Sequence, residues 1–237
     1  MRLDVYLTEN GMCKSRTAAQ SLIKSGGVSL NGKACAKPSQ EVAEADMVEI
    51  TVEQLRYAGR GGLKLEAALE QFRLDITGAE CIDIGSSTGG FTDCMLQHGA
   101  AKVYAVDVGR DQLVDFLRSD PRVVSMEQTD IRTAELPQVD FIGTDVSFIS
   151  LKLILPHIFR LLKSGGRAVA LIKPQFEAGK ANLSKKGIVR DERVRLKIRD
   201  DIAGFARGCG FAVSGMAPSP ITGGDGNVEY LMCLEKG

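Results

Sequence analysis

Asp83-Ile84-Gly85-Ser86-Ser87-Thr88-Gly89-Gly90-Phe91 follows directly on an apolar run that begins at Cys81. Its glycines allow the backbone to turn sharply and to approach a ligand closely. The apolar run predicts a strand, Cys81–Ile84, and the residues after the loop predict a helix, Phe91–His98, whose first N–H groups and dipole favour an anionic group. The stretch therefore predicts a strand, a ligand-binding turn and a helix, which is the opening unit of a doubly wound α/β domain.

The alternation of strands and helices continues from this loop to the end of the chain. Each strand candidate is short, apolar and rich in Val or Ile, as a sheet covered on both faces requires. The predicted strands are Val103–Val106, Val123–Ser125, Val139–Thr144, Ala168–Ile172, Phe211–Met216 and Val228–Leu234. The predicted helices include Gln112–Leu117 and Leu151–Leu162. This order predicts a Rossmann-like α/β fold for residues 63–237.

The residues before the loop predict a separate small α+β domain, residues 1–53, joined by a linker at residues 54–62. Ser15 is placed to cap a helix at 16–24, and Gly26-Gly27 ends that helix. A short strand at 28–30 is followed by the tight-turn signal Asn31-Gly32 and, later, by a strand at 47–52. Gly59, Gly61 and Gly62 mark the linker.

The composition excludes several classes of protein. Hydrophobic residues make up 44% and charged residues 25%, and 30 basic residues balance 30 acidic ones, which is typical of a soluble globular protein. No apolar run approaches the ~20 residues of a membrane helix. The start shows no signal peptide. The six cysteines form no C-x-x-C pair, and Cys94 with His98 supplies only two of the four ligands of a zinc site. We expect a cytoplasmic protein without a metal site.

The distribution of charge is more informative than its total. Residues 2–37 hold six basic and two acidic residues, and residues 180–200 hold eight basic and three acidic ones. Local basic regions of this kind favour binding of a polyanion, although two solvated faces would give the same pattern.

Acidic residues follow successive strand candidates and predict a nucleoside-binding cleft. Asp107 can accept hydrogen bonds from ribose hydroxyls, Asp130 can take an adenine amino group, and Asp145 ends the fourth strand. A nicotinamide fingerprint, G-x-G-x-x-G, fails because position 87 is Ser. Turn glycines with helix-capping acids are the alternative interpretation.

Four residues form a candidate reactive group: Lys64, Asp145, Lys173 and Glu229. A ribose hydroxyl must lose its proton as it attacks a methyl group, and a lysine accepts a proton only when its pKa falls towards neutrality. Lys173 would be the base or the hydroxyl-orienting group, Asp145 and Glu229 would position it, and Lys64 would tune its charge. A structural ion-pair network explains the same four residues equally well.

The loop and the acids resemble class I S-adenosylmethionine methyltransferases, and the four residues resemble the K-D-K-E tetrad of FtsJ-like ribose 2′-O-methyltransferases. Nearly the whole chain resembles the TlyA family, whose members often carry a hemolysin name. The strings that carry this resemblance include Arg60-Gly61-Gly62-Leu63-Lys64-Leu65, Lys173-Pro174-Gln175-Phe176-Glu177, Gly187-Ile188-Val189-Arg190-Asp191 and Gly226-Asn227-Val228-Glu229. The resemblance implies a seven-stranded, mostly parallel sheet with an antiparallel last strand, and cytidine 2′-O-methylation of ribosomal RNA.

S-adenosylmethionine is the implied cofactor. Its implied binding residues are Asp83, Gly85, Ser86, Thr88, Gly89, Gly90, Phe91, Asp107, Val108, Asp130, Ile131 and Asp145.

The N-terminal unit is similar to the alpha-L RNA-binding motif of a ribosomal small-subunit protein, through Arg2-Leu3-Asp4, Ser15-Arg16, Leu22-Ile23 and Asn31-Gly32. The similarity implies ribosomal RNA or ribosomal subunits as partners. The implied RNA contacts are Arg2, Lys14, Ser15, Arg16, Gln20, Lys24, Asn31, Lys33, Lys37 and Arg60. Relatives tend to read Tyr-Val-Ser where this chain has Tyr57-Ala58-Gly59, and we expect the extra glycine to loosen the linker.

Three alternatives stay open at this point: a membrane-active hemolysin, a catalytically silent RNA-binding protein with a methyltransferase fold, and a nicotinamide-dependent enzyme. The oligomeric state has no signal in the sequence.

Overall fold

A computed structural model describes residues 1–13, 16–24, 26–43, 45–50, 56–223 and 226–237. Lys14, Ser15, the predicted domain boundary at residue 53 and the first part of the predicted linker lie outside these residues.

The N-terminal unit consists of two helices and a small antiparallel sheet. The elements are α1 (Leu3–Glu9), α2 (Arg16–Lys24), β1 (Val28–Leu30), β2 (Lys33–Ala34) and β3 (Val48–Ile50). The strand order is β2-β1-β3. Asn31 and Gly32 both have positive φ, which is the two-residue hairpin turn that the Asn-Gly pair predicts. Leu3, Leu7, Ala19, Ile23 and Val28 are fully buried and form a separate core. Helix α1 was not predicted, because seven residues give little helical periodicity.

The larger unit is a seven-stranded sheet with helices on both faces. Its strands are β4 (Glu80–Ile84), β5 (Lys102–Val106), β6 (Val123–Met126), β7 (Val139–Thr144), β8 (Leu162–Ile172), β9 (Phe211–Pro218) and β10 (Tyr230–Lys236). Its helices are α3 (Gly61–Gln71), α4 (Gly90–Gln97), α5 (Asp115–Arg118), α6 (Leu155–Leu161), α7 (Pro174–Glu177) and α8 (Glu192–Gly208), with short 3₁₀ helices at Leu151–Leu153 and Lys180–Asn182.

The sheet has the strand order β6-β5-β4-β7-β8-β10-β9. Strand β10 is antiparallel to both of its neighbours, and the pairs among β4 to β8 are parallel. The predicted fold class is confirmed. One apolar cluster on the sheet includes residues of α6 and α8, and a second includes residues of α3 and α4.

The structure corrects the sequence analysis at three places in this unit. Gly61 and Gly62, predicted as linker, form the first turn of α3. Strand β8 begins six residues before the predicted start. Helix α8 was missed, although Asp191 caps it through the Arg193 N–H and Ile198, Ile202 and Ala206 give its buried face at a spacing of four.

Candidate active site

The predicted reactive residues meet at one edge of the sheet. Asp145 follows β7 and Lys173 follows β8, so both lie where parallel strands end. Strand β10 runs the opposite way beside β8, and its first residue, Tyr230, pairs with Ile172, so Glu229 reaches the same edge. Lys64 enters from the first turn of α3. The spacing in the sequence did not show whether these four side chains meet. In the fold they do.

The four side chains form a chain of alternating charge. Lys173 Nζ lies 2.5 Å from Asp145 Oδ1, and Lys64 Nζ lies 3.8 Å from Asp145 Oδ2. Lys64 Nζ also donates to Glu229 Oε2 at 2.7 Å. The side chain of Glu229 is 2% exposed and that of Lys64 9%, whereas those of Lys173 and Asp145 are 11% and 17% exposed. The Lys173–Asp145 end is thus the more accessible end of the network.

Two further residues support the network and were not singled out from the sequence. Gln175 donates from Nε2 to Glu229 Oε1 at 3.2 Å, and Lys173 donates to Ser147 Oγ at 2.9 Å. Burial alone would raise the pKa of Asp145, but Lys173 and Lys64 hold it below its usual range. Gln175 was detectable as part of the Lys-Pro-Gln-Phe-Glu string, whereas Ser147 carried no signal.

The glycine loop lies against the same edge. Gly85 has a φ of +85°, and a Cβ atom there would stand 2.7 Å from the carbonyl oxygen of Asp145. Gly89 has a φ of +101° and precedes α4. A Cβ on Gly90 would meet the backbone of Gly59 and Gly62 at 3.0–3.1 Å. Glycine at 85 is therefore required both by backbone conformation and by the close approach of the reactive strand end.

Buried polar atoms around this loop fit a polar ligand. Asp83 is fully buried; its Oδ2 accepts from the Thr92 N–H and hydroxyl, and its Oδ1 has no partner among the described residues. Burial raises the pKa of Asp83 to about 7, against the opposing hydrogen bonds from Thr92. Ser86 Oγ and Thr144 Oγ1 are likewise buried and, within the described chain, without a hydrogen-bond partner. Since buried polar atoms are normally satisfied, these three suit the amino and carboxylate groups of an amino-acid moiety.

The remaining predicted cofactor residues are placed in different ways. Asp107 accepts from the N–H groups of Ser87 and Gly109, which ties the glycine loop to the end of β5. Asp130 is paired with Arg132 at 2.6 Å, and this guanidinium lowers the pKa of Asp130 to about 2. Asp130 would have to share its carboxylate to bind an adenine amino group.

Three other predicted cofactor residues differ sharply in exposure. Val108 is 73% exposed, whereas Phe91 and Ile131 are buried in the two apolar clusters of the sheet. Any contribution of Phe91 or Ile131 to ligand binding would come from the backbone.

Comparison with known proteins places this geometry in a family. A sequence profile of the FtsJ-like methyltransferase family matches residues 57–236. The chain belongs to the FtsJ-like methyltransferase family. A profile of the S4 domain matches residues 1–48, the N-terminal unit.

Relatives of the FtsJ-like chain match over nearly its whole length. YqxC of Bacillus subtilis, provisionally named an rRNA methyltransferase, is 47% identical over 98% of this chain and 85% of its own. The 16S/23S rRNA (cytidine-2′-O)-methyltransferase TlyA of Mycobacterium tuberculosis is 39% identical over 98% of this chain and 89% of its own. A solved structure of a provisionally named hemolysin from Streptococcus thermophilus is 46% identical, covers 100% of this chain and 88% of its own, and superposes with a TM-score of 0.78.

The S4 domain holds three of its predicted RNA contacts by internal hydrogen bonds. Asp4, which is fully buried, accepts from Arg2 at 2.9 Å, from Arg16 at 3.0 Å and from Gln20 at 2.7 Å. The guanidinium of Arg2 holds the pKa of Asp4 well below its usual range. Because the arginine side chains stay about half exposed, Asp4 fixes their direction and leaves their outer faces available.

The other predicted S4 contacts differ in their availability. Lys24, Lys33 and Lys37 are exposed, and within the described chain they form no ion pair. Asn31, predicted as an RNA contact, uses its side-chain amide to fasten the turn to Asp46 and Met47.

The segment between the S4 and FtsJ-like domains is packed rather than loose. Tyr57 and Ala58 are each 2% exposed; Tyr57 donates from its hydroxyl to Glu66, and the Ala58 N–H donates to Asp93. The expectation that Gly59 loosens this segment is therefore wrong for residues 57–60. Arg60 donates to the carbonyl of Thr222, and its alkyl chain would stand 3.3 Å from a Cβ on Gly26 of the S4 domain.

Two negative findings complete the description of the site. Among the described helices, none is both long and apolar enough to cross a membrane. The described residues hold no group of three metal-binding side chains, and the Cys94 thiol lies 3.6 Å from His98 Nδ1.

Proposed function

We propose that this chain transfers a methyl group from S-adenosylmethionine to the ribose 2′-hydroxyl of a cytidine in ribosomal RNA, in the cytoplasm where subunits are assembled. The observation that carries the proposal is the Lys173–Asp145–Lys64–Glu229 chain beside a glycine loop. A network of purely structural ion pairs would not need a glycine loop packed against the Asp145 backbone.

The residues that would hold the cofactor are those of the loop and the neighbouring strand ends. When bound, S-adenosylmethionine supplies an electrophilic methyl group on a sulfonium. The unpartnered atoms of Asp83, Ser86 and Thr144 are suited to its methionine part, and Asp107 stands at the end of β5 for its ribose.

The network then acts on the substrate hydroxyl. Lys173 lies at the accessible end, where its Nζ would orient the hydroxyl and, as the neutral amine, accept its proton. Asp145 fixes the position of Lys173, and Lys64 neutralises part of the Asp145 charge. Glu229 holds Lys64 in place through a nearly fully buried pair.

An aromatic pair with one exposed ring supports a nucleotide substrate. Phe148 is 91% exposed, has a φ of +64°, and its ring centroid lies 5.0 Å from that of Phe176. Phe176 is also within 5.9 Å of Lys173 Nζ. A large apolar ring held in solvent beside a reactive amine suits stacking of an unpaired base, the usual way in which single nucleotides of RNA are recognised.

The test uses ribosomal subunits from a strain that lacks the protein, incubated with radiolabelled S-adenosylmethionine, and maps any new 2′-O-methyl group. We expect Lys173→Ala to lose at least about 100-fold in methyl transfer, the scale of one acid–base group, with binding to subunits retained. Lys102→Ala, at the opposite edge of the sheet, is the control. Full activity of Lys173→Ala, or no transfer by the wild type to either subunit, would contradict the proposal.

A further inference from the structure

The segment between α7 and α8 contains a closed turn, residues 184–190, that the reaction described above does not use. Ser184 donates its N–H to the Ile188 carbonyl at 3.0 Å, and its hydroxyl accepts from the Ile188 N–H at 3.1 Å. Gly187 donates to the Ser184 carbonyl at 2.8 Å and has a φ of +72°. Lys185 and Lys186 occupy the tip. These bonds fix the place at which the two lysines stand.

The turn at residues 184–190, called the basic turn below, is fastened to the segment that leads through Glu229 into β10. Asn227, which is 2% exposed, accepts from the Val189 N–H at 3.2 Å and donates to the Gly187 carbonyl at 3.1 Å. Asn227 precedes Glu229 by two residues, about 7 Å along an extended chain. The turn is therefore held close to the reactive network through a buried side chain.

The cations of the basic turn have no ion-pair partner among the residues that the structure describes. Lys185, Lys186 and Arg190 are exposed, and none of them forms an ion pair with a described residue. The adjacent acid, Asp191, caps α8 by accepting from the Arg193 N–H at 2.8 Å. A shallow cavity of about 280 Å³ is lined by Ser184, Lys185, Lys186 and Arg190. Three exposed cations within six residues form a surface patch suited to the phosphates of a nucleic-acid backbone.

We propose that the basic turn binds backbone phosphates of the RNA substrate next to the target nucleotide, as a second anchor in addition to the S4 domain. This inference rests on the proposed function, because it takes RNA as the substrate. An RNA bound only by the S4 domain would leave its target ribose free to rotate at the reactive site. A fixed cationic contact beside Glu229 restrains the flanking nucleotides, and in-line attack requires such restraint.

The experiment measures the salt dependence of binding to 30S and 50S ribosomal subunits that lack the modification. The variant replaces all three cations: Lys185→Gln, Lys186→Gln and Arg190→Gln. The matched control removes three charges at sites remote from the turn: Arg73→Gln, Lys102→Gln and Arg207→Gln. Arg73 and Arg207 lie at the far ends of α3 and α8, helices about 16 and 25 Å long that begin near the reactive edge.

Each lost phosphate contact lowers the slope of log K against log salt by about 0.7 for a single strand. We therefore expect the variant to lower the slope by about 2, and to raise KM for subunits at least 10-fold while kcat and the affinity for S-adenosylhomocysteine stay within about threefold. The control variant should match the wild type. Equal urea midpoints for all three proteins establish that folding is unaffected.

An unchanged slope and KM in the triple variant would overturn this inference, as would an equal loss in the control. The outcome is separable from failure of the proposed function. If the wild type binds subunits without methylating them, the proposed reaction is wrong, and the salt slope still decides whether the turn binds RNA.

Discussion

Substitutions of the Lys64–Glu229 pair can distinguish a network that serves the reaction from one that serves only folding. Lys64 and Glu229 lie 2.7 Å apart, with side chains 9% and 2% exposed. Among the described residues, Lys64→Met alone would leave the Glu229 carboxylate with one side-chain donor, the Gln175 amide at 3.2 Å. Removing one partner of a buried pair costs about 3–5 kcal/mol of unfolding free energy. We expect a loss in this range for the single variant.

The double variant, Lys64→Met with Glu229→Gln, removes both charges and keeps an acceptor for Gln175. Replacing a buried pair by residues of similar volume is commonly neutral. We therefore expect a double variant within about 1 kcal/mol of the wild type, and a coupling energy of at least about 2 kcal/mol from urea unfolding.

Activity then separates the two interpretations, because the double variant restores the fold without restoring the charges. If Lys64 and Glu229 serve only folding, methyl transfer should return together with stability. If they serve the reaction, the double variant should be stable and at least about 100-fold slower, with affinity for S-adenosylhomocysteine unchanged. A stable double variant that methylates ribosomal subunits at the wild-type rate would refute our assignment of the pair to the reaction.

Three further predictions concern the loop and the S4 domain. Gly85→Ala should weaken S-adenosylhomocysteine binding at least 10-fold in calorimetry, because its Cβ would stand 2.7 Å from the Asp145 carbonyl at a φ of +85°; unchanged affinity would contradict this. Since burial raises the pKa of Asp83 to about 7, stability should fall by up to about 4 kcal/mol as pH rises from about 4 to 7 and then level off. Asp83→Asn should flatten that dependence, and an identical pH profile in urea unfolding would count against it. Asp4→Ala should destabilise the S4 domain by about 2 kcal/mol, below the cost for a fully buried pair because both guanidiniums are half exposed, and should weaken subunit binding. Exposed Glu9→Ala is its control in thermal unfolding.

The local pattern of apolar residues was enough to predict the strands of the larger domain. Short apolar segments predicted all seven strands, with β7 exact at both ends. The parallel strands were the clearest, because strands buried on both faces need continuous apolar segments. The start of β8 was missed because Lys163-Ser164-Gly165-Gly166 has no strand-like composition. In the fold these residues form an irregular stretch between Leu162, which pairs with Val139, and Arg167, which pairs with Phe141.

In the S4 domain, the sequence pattern was not enough to predict how the basic side chains are held. Basic residues near the N-terminus predicted a polyanion surface, yet their number does not reveal that Arg2, Arg16 and Gln20 share one buried acid. Asp4 is an ordinary surface acid by sequence, and its burial results from the packing of α1 against α2.

The sequence by itself determined the strands, the glycine loop and the identity of four candidate reactive residues. Only the tertiary structure decided that they meet. Lys64 and Glu229 are 165 positions apart, and their contact depends on β10 inserting antiparallel beside β8, so that a residue before one strand faces a residue after the other. The contact of the basic turn with the segment before β10 is likewise long-range, because it depends on the Asn227 side chain. Strand pairing depends on hydrogen bonds and packing between distant segments, and the periodicity of either segment alone contains no information about its partner.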